Sequence, residues 1–171
     1  MSVTLATSST TVSFAAIPAT TSGVTLSDIK LVISARGTAT TAGNLDDLYI
    51  KMNNFTSGYT VTWFREAASA NTFGTAQTLT TGWLVGSVPN ANTNASNFGS
   101  TEVYFTEYAS TAKIKYGHCN SYAPIGTTSD RFMKAIPKQT SLVAITDLTL
   151  SLGAGSFAAN TTVDLYVISK G

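Results

Sequence analysis

Cysteine, charge and long apolar runs are all scarce in this sequence of 171 residues. The single cysteine, Cys119, allows neither an intrachain disulfide nor a zinc site built from cysteines alone. Charged residues make up only 11% of the chain, and its lysines and arginines are scattered. Because no basic run is present that could follow a phosphate backbone, we expect no nucleic-acid partner.

Features of secreted and membrane proteins are also missing. No apolar stretch approaches the roughly 20 residues that a membrane span requires. Residues 1–18 contain neither a basic start nor a long apolar run, and a signal peptide has both. We therefore expect no signal peptide and no membrane insertion.

Common enzyme signatures are absent as well. The sequence contains no HExxH metal-binding motif, no GxSxG nucleophile motif, no P-loop and no GxGxxG dinucleotide-binding motif. We therefore predict a protein that is not an enzyme, with no catalytic residue, no metal ligand and no cofactor.

Two pairs of adjacent residues leave a catalytic site or a metal site open as an alternative. His118 beside Cys119 would suit a Cys/His nucleophile, but adjacent strand residues point to opposite faces, so a buried structural cysteine is the preferred interpretation. Asp46 beside Asp47 would suit a weak metal site. Such a pair more often marks a turn or a solvated edge, which is our prediction here.

Threonine and serine are abundant, with 29 Thr and 19 Ser in the chain. Threonine favours strands and long helix-forming side chains are few, so the composition predicts an all-β protein. A chain of this length buries roughly 70% of its unfolded surface, which is enough for one core. We predict a single domain over residues 1–171, folded as an antiparallel β-sandwich.

Alternating apolar residues, separated by polar or glycine-rich breaks, mark ten candidate strands. They are Val3 to Ala6, Thr11 to Ile17, Leu26 to Ala35, Asp47 to Met52, Tyr59 to Phe64, Gln77 to Val85, Thr101 to Tyr108, Thr111 to Tyr116, Leu142 to Leu152 and Thr161 to Ile168. Two stretches, residues 86–100 and 117–130, are predicted to be long surface loops. Contacts to a protein or a glycan usually lie on such loops.

The clearest local pairing is a hairpin over residues 101–116, with a turn at Ala109-Ser110. Since paired positions keep a constant sum, this turn predicts that Phe105 lies opposite Ile114 and Val103 opposite Tyr116.

The same alternation predicts on which face of the hairpin its charged residues lie. Lys113 and Lys115 are predicted on its polar face, and Glu107 on its apolar face near the turn. A carboxylate there must be hydrogen-bonded, charge-paired or at the rim, so we predict a structural role for Glu107.

The two tryptophans are candidates for stacking on a sugar. Trp63 shares a strand face with Tyr59 and Val61, and an aromatic side chain in such a row is usually part of the core, so we predict that Trp63 is buried. Trp83 follows Gly82 and precedes the first predicted loop. The sequence leaves both a core position and an exposed one open for it.

The end of the chain resembles the ending of many small structural proteins of tailed bacteriophages. Gly155-Ser156-Phe157-Ala158, followed by Leu165-Tyr166-Val167-Ile168, is similar to their "G-x-Phe-Ala … Leu-Tyr-x-Ile" pattern. Other short motifs of the same family occur in the same order. They are Val12-Ser13-Phe14 with Ile17-Pro18, Leu26 to Arg36, Met52-Asn53-Asn54 with Tyr59, and Glu107-Tyr108-Ala109-Ser110-Thr111 with Lys113-Ile114-Lys115.

The resemblance implies a jelly-roll-like sandwich on the exterior of a virion, made in the host cytoplasm. Its partners would be phage virion proteins of the capsid shell or the tail, as a capsid decoration, cement or head-fibre protein. The alternative is a receptor-binding module of a tail fibre or tail tip that binds a host-surface glycan. A chain with 43% hydrophobic and 11% charged residues should also bury apolar surface between subunits. The resemblance favours a homotrimer.

Overall fold

Two antiparallel sheets form a jelly-roll-like β-sandwich in the computed structural model, which describes residues 1–21, 23–67, 70–126 and 130–169. The strands are β1 (Ser2–Thr4), β2 (Thr11–Phe14), β3 (Thr20–Thr21), β4 (Val24–Ala35), β5 (Leu45–Met52), β6 (Tyr59–Ala67), β7 (Ala70–Leu79), β8 (Trp83–Pro89), β9 (Gly99–Thr106), β10 (Lys115–Ala123), β11 (Arg131–Gln139), β12 (Leu148–Leu152) and β13 (Thr162–Ser169). Those residues include no helix. The predicted all-β sandwich is therefore confirmed.

The two sheets differ in size. The large sheet has the order β1-β13-β4-β9-β10-β11-β6-β7, with β3 paired to β4, and the small sheet has the order β2-β12-β5-β8. Within the described ranges no helix is long and apolar enough to span a membrane.

The core lies between the sheets because strand residues alternate between the two faces. In β4, Ile29, Leu31 and Ile33 are fully or almost fully buried. Lys30 and Val32, which lie between them, are only partly buried. The small sheet contributes Ile50 and Leu150, which are fully buried and directly paired.

The predicted terminal strand is confirmed as β13, which lies between β1 and β4. Just before it, Phe157 is fully buried and exchanges backbone hydrogen bonds with Ser9, at 2.8 and 3.1 Å. The end of the chain therefore consists of an anchored aromatic residue followed by a strand inside the large sheet.

The predicted register of the 101–116 hairpin is wrong. Phe105 pairs with Gly117 rather than Ile114, and Val103 pairs with Cys119 rather than Tyr116. The connection is longer than predicted, because β9 ends at Thr106 and β10 begins only at Lys115.

Charged side chains hold this connection in place. Glu107 adopts a left-handed backbone conformation, with a φ of 55°. Its carboxylate forms an ion pair with Lys113 at 3.1 Å, which confirms the predicted charge-paired, structural role. Lys115 was predicted on a polar face but is buried. Its Nζ donates to the carbonyls of Ser110 and Lys113, the latter at 2.9 Å.

Several other predicted boundaries also need correction. The candidate Gln77 to Val85 is two strands, β7 and β8, because the chain turns at residues 80–82, where Gly82 has a φ of 124°. The candidate Leu142 to Leu152 contains strand only in β12, and β11 was missed entirely. The candidates near Val3 and Thr11 end earlier than predicted, at Thr4 and Phe14.

Both predicted surface loops are shorter than expected. β8 continues through Pro89 with every residue buried, and β10 continues through Ala123. The remainder of the first loop is anchored, since the Asn90 amide donates to Thr41 O and Oγ1 at 3.0 and 2.8 Å. Residues 127–129 of the second loop lie outside the described residues.

Candidate functional site: the outer face of the large sheet

Aromatic side chains are concentrated on the side of the large sheet that faces away from the core. We define the outer aromatic face by Phe64 of β6, Phe73 of β7, Tyr104 of β9, His118, Asn120 and Tyr122 of β10, and Phe132, Lys134 and Ile136 of β11. Register places these residues together, because Phe64 pairs with both Phe73 and Lys134, and His118 pairs with Tyr104. The most exposed apolar members are Phe73, at 79% exposure, and Ile136, at 61%.

One end of this face is an apolar groove of about 350 Å³. The rings of Phe64 and Phe73 lie in it with centroids 4.9 Å apart. Ile136, Lys134, His118 and Asn120 also line it, and Lys134 Nζ lies 5.8 Å from the ring centroid of Phe132. The groove therefore offers mainly apolar surface with one cation.

The other end is more polar. Tyr104 and His118 stack with centroids 5.2 Å apart, and beside them Lys30 and Glu102 form an ion pair of 3.1 Å around a recess of about 90 Å³. Asn120 also lines this recess.

A buried carboxylate fixes this end of the face. Asp28 is 4% exposed; its Oδ2 accepts the Tyr104 hydroxyl at 2.5 Å, and its Oδ1 accepts the Glu107 backbone N–H at 3.1 Å. The Tyr104 ring of the stack is therefore held in place by its hydroxyl group.

His118 and Cys119 lie on opposite faces of β10, as predicted. His118 is exposed, whereas Cys119 is buried and its thiol donates to Ala135 O at 3.5 Å. Burial raises the pKa of Cys119 to about 12, so the thiolate needed for nucleophilic attack is not formed near neutral pH.

Trp83 is part of the core, which resolves the alternative that the sequence left open. It is fully buried, donates from Nε1 to Lys138 O at 2.8 Å and packs against Phe105 at a centroid distance of 5.0 Å. It has no exposed ring surface on which a sugar could stack.

Trp63 is only half-buried, so the prediction of full burial is partly wrong. Its ring lies against Gly74, where an added Cβ would come within 2.3 Å of the ring, and the guanidinium of Arg65 lies 4.7 Å from its centroid. The backbone at Gly74 thus contacts the Trp63 ring, and the Arg65 guanidinium covers a face of the same ring.

Asp46 and Asp47 lie inside β5, so the predicted turn or solvated edge is wrong. Asp46 is 3% exposed; its Oδ1 accepts the Thr41 hydroxyl at 2.8 Å, and burial raises its pKa. Asp47 instead pairs with Arg65 at 3.0 Å and accepts the Ser87 hydroxyl at 3.2 Å. Since each carboxylate has its own partners, the two do not converge on one point. No cluster of three or more metal-ligating side chains occurs in the described part of the chain.

Asp47 borders a second, separate site that sequence reasoning missed. We define the arginine pocket, of about 380 Å³, by Thr41, Asp46, Asp47, Tyr49, Arg65, Arg131 and Gly153. The two arginines are far apart in sequence, and only the pairing of β6 with β11 brings them together on one side of the sheet. No local motif marks such a site.

Comparison of the chain with family models, curated proteins and solved structures finds no match.

Proposed function

We propose that this chain is a non-enzymatic structural protein of a bacteriophage virion, displayed on the virion exterior, that decorates or cements the capsid or forms part of a head fibre. The observation that carries the proposal is the apolar groove of the outer aromatic face. The ordered series of phage-like motifs, ending in β13, supports the same role.

The groove has the composition of a protein interface. Covering a large apolar side chain such as Phe73 or Ile136 contributes roughly 1.5–3 kcal/mol, and exposed apolar clusters of this kind mark interaction sites. Aromatic residues are also enriched at interface centres.

The occupant we propose is a second copy of this chain, within a homotrimer. β7 is the last strand of the large sheet, so its outer edge has no strand partner in the described part of the chain, and Phe73 lies on it. An edge with an exposed apolar side chain readily pairs with another chain. Because the net charge is only +1, identical copies repel each other weakly. Repeating one such contact around an axis gives a closed ring.

Sedimentation equilibrium at micromolar concentration tests the assembly. We expect a trimer for the natural sequence and dissociation for Phe73→Ser combined with Ile136→Ser. Tyr166→Ser is the matched control, because Tyr166 is a 53% exposed aromatic residue on β13, far along the same sheet. A natural-sequence chain that remains monomeric would contradict the assembly.

A second experiment tests the capsid role. Purified protein is added to undecorated capsid shells, and we measure both its binding and the temperature at which the shells are disrupted. We expect bound protein and a higher disruption temperature, since a ligand that binds only the assembled state stabilises it. Shells that bind no protein, together with immunogold labelling at the tail tip, would overturn the capsid role.

The stacked Tyr104–His118 pair favours one alternative, a receptor-binding module of a tail fibre or tail tip that binds a host-surface glycan. Exposed ring surface beside Asn120 and Glu102 combines a stacking platform with hydrogen-bonding groups. A glycan array tests this alternative. Saturable binding that His118→Ala removes and Tyr166→Ser retains would favour it over capsid decoration.

A further inference from the structure

One of the two arginines of the arginine pocket has no ion-pair partner among the described residues. Arg65 is paired with Asp47 at 3.0 Å, but no carboxylate of the described residues forms an ion pair with Arg131. Burial, together with the neighbouring charge of Arg65, lowers the pKa of Arg131, and Asp47 opposes that effect. An arginine stays protonated at neutral pH all the same, so Arg131 is a cation without a direct ion pair in the described part of the chain.

Hydrogen-bond donors at the pocket are also unsatisfied. The Nε atoms of Arg65 and Arg131 are buried and have no acceptor. A buried donor without an acceptor typically costs about 1–3 kcal/mol, so a side-chain movement that brings either Nε to an acceptor would be favoured.

The other carboxylate of the pocket, Asp46, does not form an ion pair with Arg131. Asp46 uses Oδ1 to accept the Thr41 hydroxyl, and its Oδ2 lies next to Gly37, where an added Cβ would be 2.3 Å away. Desolvation raises the pKa of Asp46, which further weakens it as a counter-ion for Arg131.

We infer that the arginine pocket binds a sugar acid, with the ligand carboxylate on Arg131 and its hydroxyl groups near Asp47 and Thr41. A guanidinium holds a carboxylate through two parallel hydrogen bonds. One guanidinium without an ion pair matches a ligand with one negative charge, and the two carboxylates of the pocket would repel a doubly charged phosphate more strongly. A volume of about 380 Å³ is large enough for a monosaccharide, and Tyr49 provides an aromatic wall. The inference rests on the pocket alone and goes beyond the proposed virion role.

Isothermal titration calorimetry with glucuronate as the probe tests this site on the full chain. Glucose is the matched neutral sugar, acetate supplies a carboxylate without hydroxyl groups, and inorganic phosphate supplies a different anion. We expect saturable glucuronate binding, no glucose binding, and weaker binding of acetate and phosphate. Absence of saturable glucuronate binding, or equal affinity for acetate or phosphate, would overturn the sugar-acid assignment.

Variants locate the binding within the chain. Arg131→Gln should weaken glucuronate at least about tenfold, since it removes the charged half of a partly buried pair. Lys51→Gln removes the same charge from β5, next to the pocket but outside its lining, and should leave the affinity unchanged. Arg131→Lys keeps the charge without the fork-shaped donor set and should give an intermediate loss. Thermal melting checks that each variant is folded, and a folded Arg131→Gln with unchanged affinity would overturn the location.

Discussion

Buried ionisable side chains fix the long connection between β9 and β10. Lys115 is 1% exposed, and carbonyl groups of residues 110 and 113 accept its ammonium protons, while burial lowers its pKa. Asp28 holds the start of the same connection by accepting the Glu107 N–H. The alternation of strand residues predicted that Lys115 lies on the polar face. That prediction is wrong because carbonyl groups of the connection accept its ammonium protons inside the protein.

Replacing Lys115 should destabilise the fold. Lys115→Met removes the buried ammonium that donates to two partly buried carbonyls, and we expect the free energy of unfolding to fall by about 1–3 kcal/mol. Lys113→Met is the matched control, because the Lys113 side chain is 62% exposed and its ion pair should contribute less than about 1 kcal/mol. Urea denaturation measures both, and equal losses for the two variants would contradict a special role for Lys115.

Cys119 should be unreactive in the folded protein. Because burial keeps its thiol protonated, Ellman's reagent at about pH 8 should modify it only after denaturation. The control is the double variant His118→Cys with Cys119→Ala, which moves the thiol by one residue to the exposed face and should react rapidly. Rapid modification of the native Cys119 would be inconsistent with the buried position.

At the scale of elements, β8 is held by close contact between the two sheets. Gly86 faces Ser121 of β10, and an added Cβ would lie 2.4 Å from its hydroxyl oxygen and 2.6 Å from its Cβ. The hydroxyl of Thr101 of β9, 3.0 Å from the same point, also donates to Ser121. The sheets approach this closely only because residue 86 has no side chain.

The variant Gly86→Ala should therefore cost about 1–3 kcal/mol of stability through overpacking. Gly153→Ala is a suitable control, since an added Cβ there meets only ordinary contacts, the nearest at 3.5 Å, and should change the stability by less than about 1 kcal/mol. Thermal melting compares the two. A Gly86→Ala variant as stable as the natural sequence would show that the sheets have room to move apart.

Strands with a regular apolar alternation could be predicted from the sequence, and strands without it could not. β4, β6 and β13 alternate clearly and were placed within a few residues. The sequence of β10 is mostly polar, with glycine, histidine and asparagine. β11 contains Pro137 within the strand, paired with Val61. Proline normally argues against an inner strand. Much of the outer aromatic face lies on β10 and β11, so the candidate site could not be predicted either.

For the whole molecule, the two candidate surfaces share strands without sharing side chains. In β6, Phe64 belongs to the outer aromatic face and its neighbour Arg65 to the arginine pocket. β11 is divided in the same way, with Ile136 on the first surface and Arg131 on the second. Self-association and ligand binding should therefore respond to different substitutions.

The fold should lose stability at alkaline pH. Burial raises the pKa values of Cys119, Tyr59 and Tyr108, so the unfolded chain releases these protons at lower pH than the folded one. The stabilisation is complete below about pH 9 and is lost as the pH rises above it, with Cys119 accounting for roughly 1 kcal/mol at about pH 10. Urea denaturation at increasing pH measures this, and Cys119→Ala should show a smaller decline. A free energy of unfolding that stays constant above pH 9 would contradict the prediction.

The position of β13 has a consequence for how the molecule is made. Residues 162–169 fill a gap between β1 and β4. During synthesis, the edges of β1 and β4 that pair with β13 therefore stay unpaired until the last of those residues has left the ribosome. During that interval an identical strand from a neighbouring nascent chain can occupy the gap instead. Crowded polysomes would then yield molecules that have exchanged their final strand.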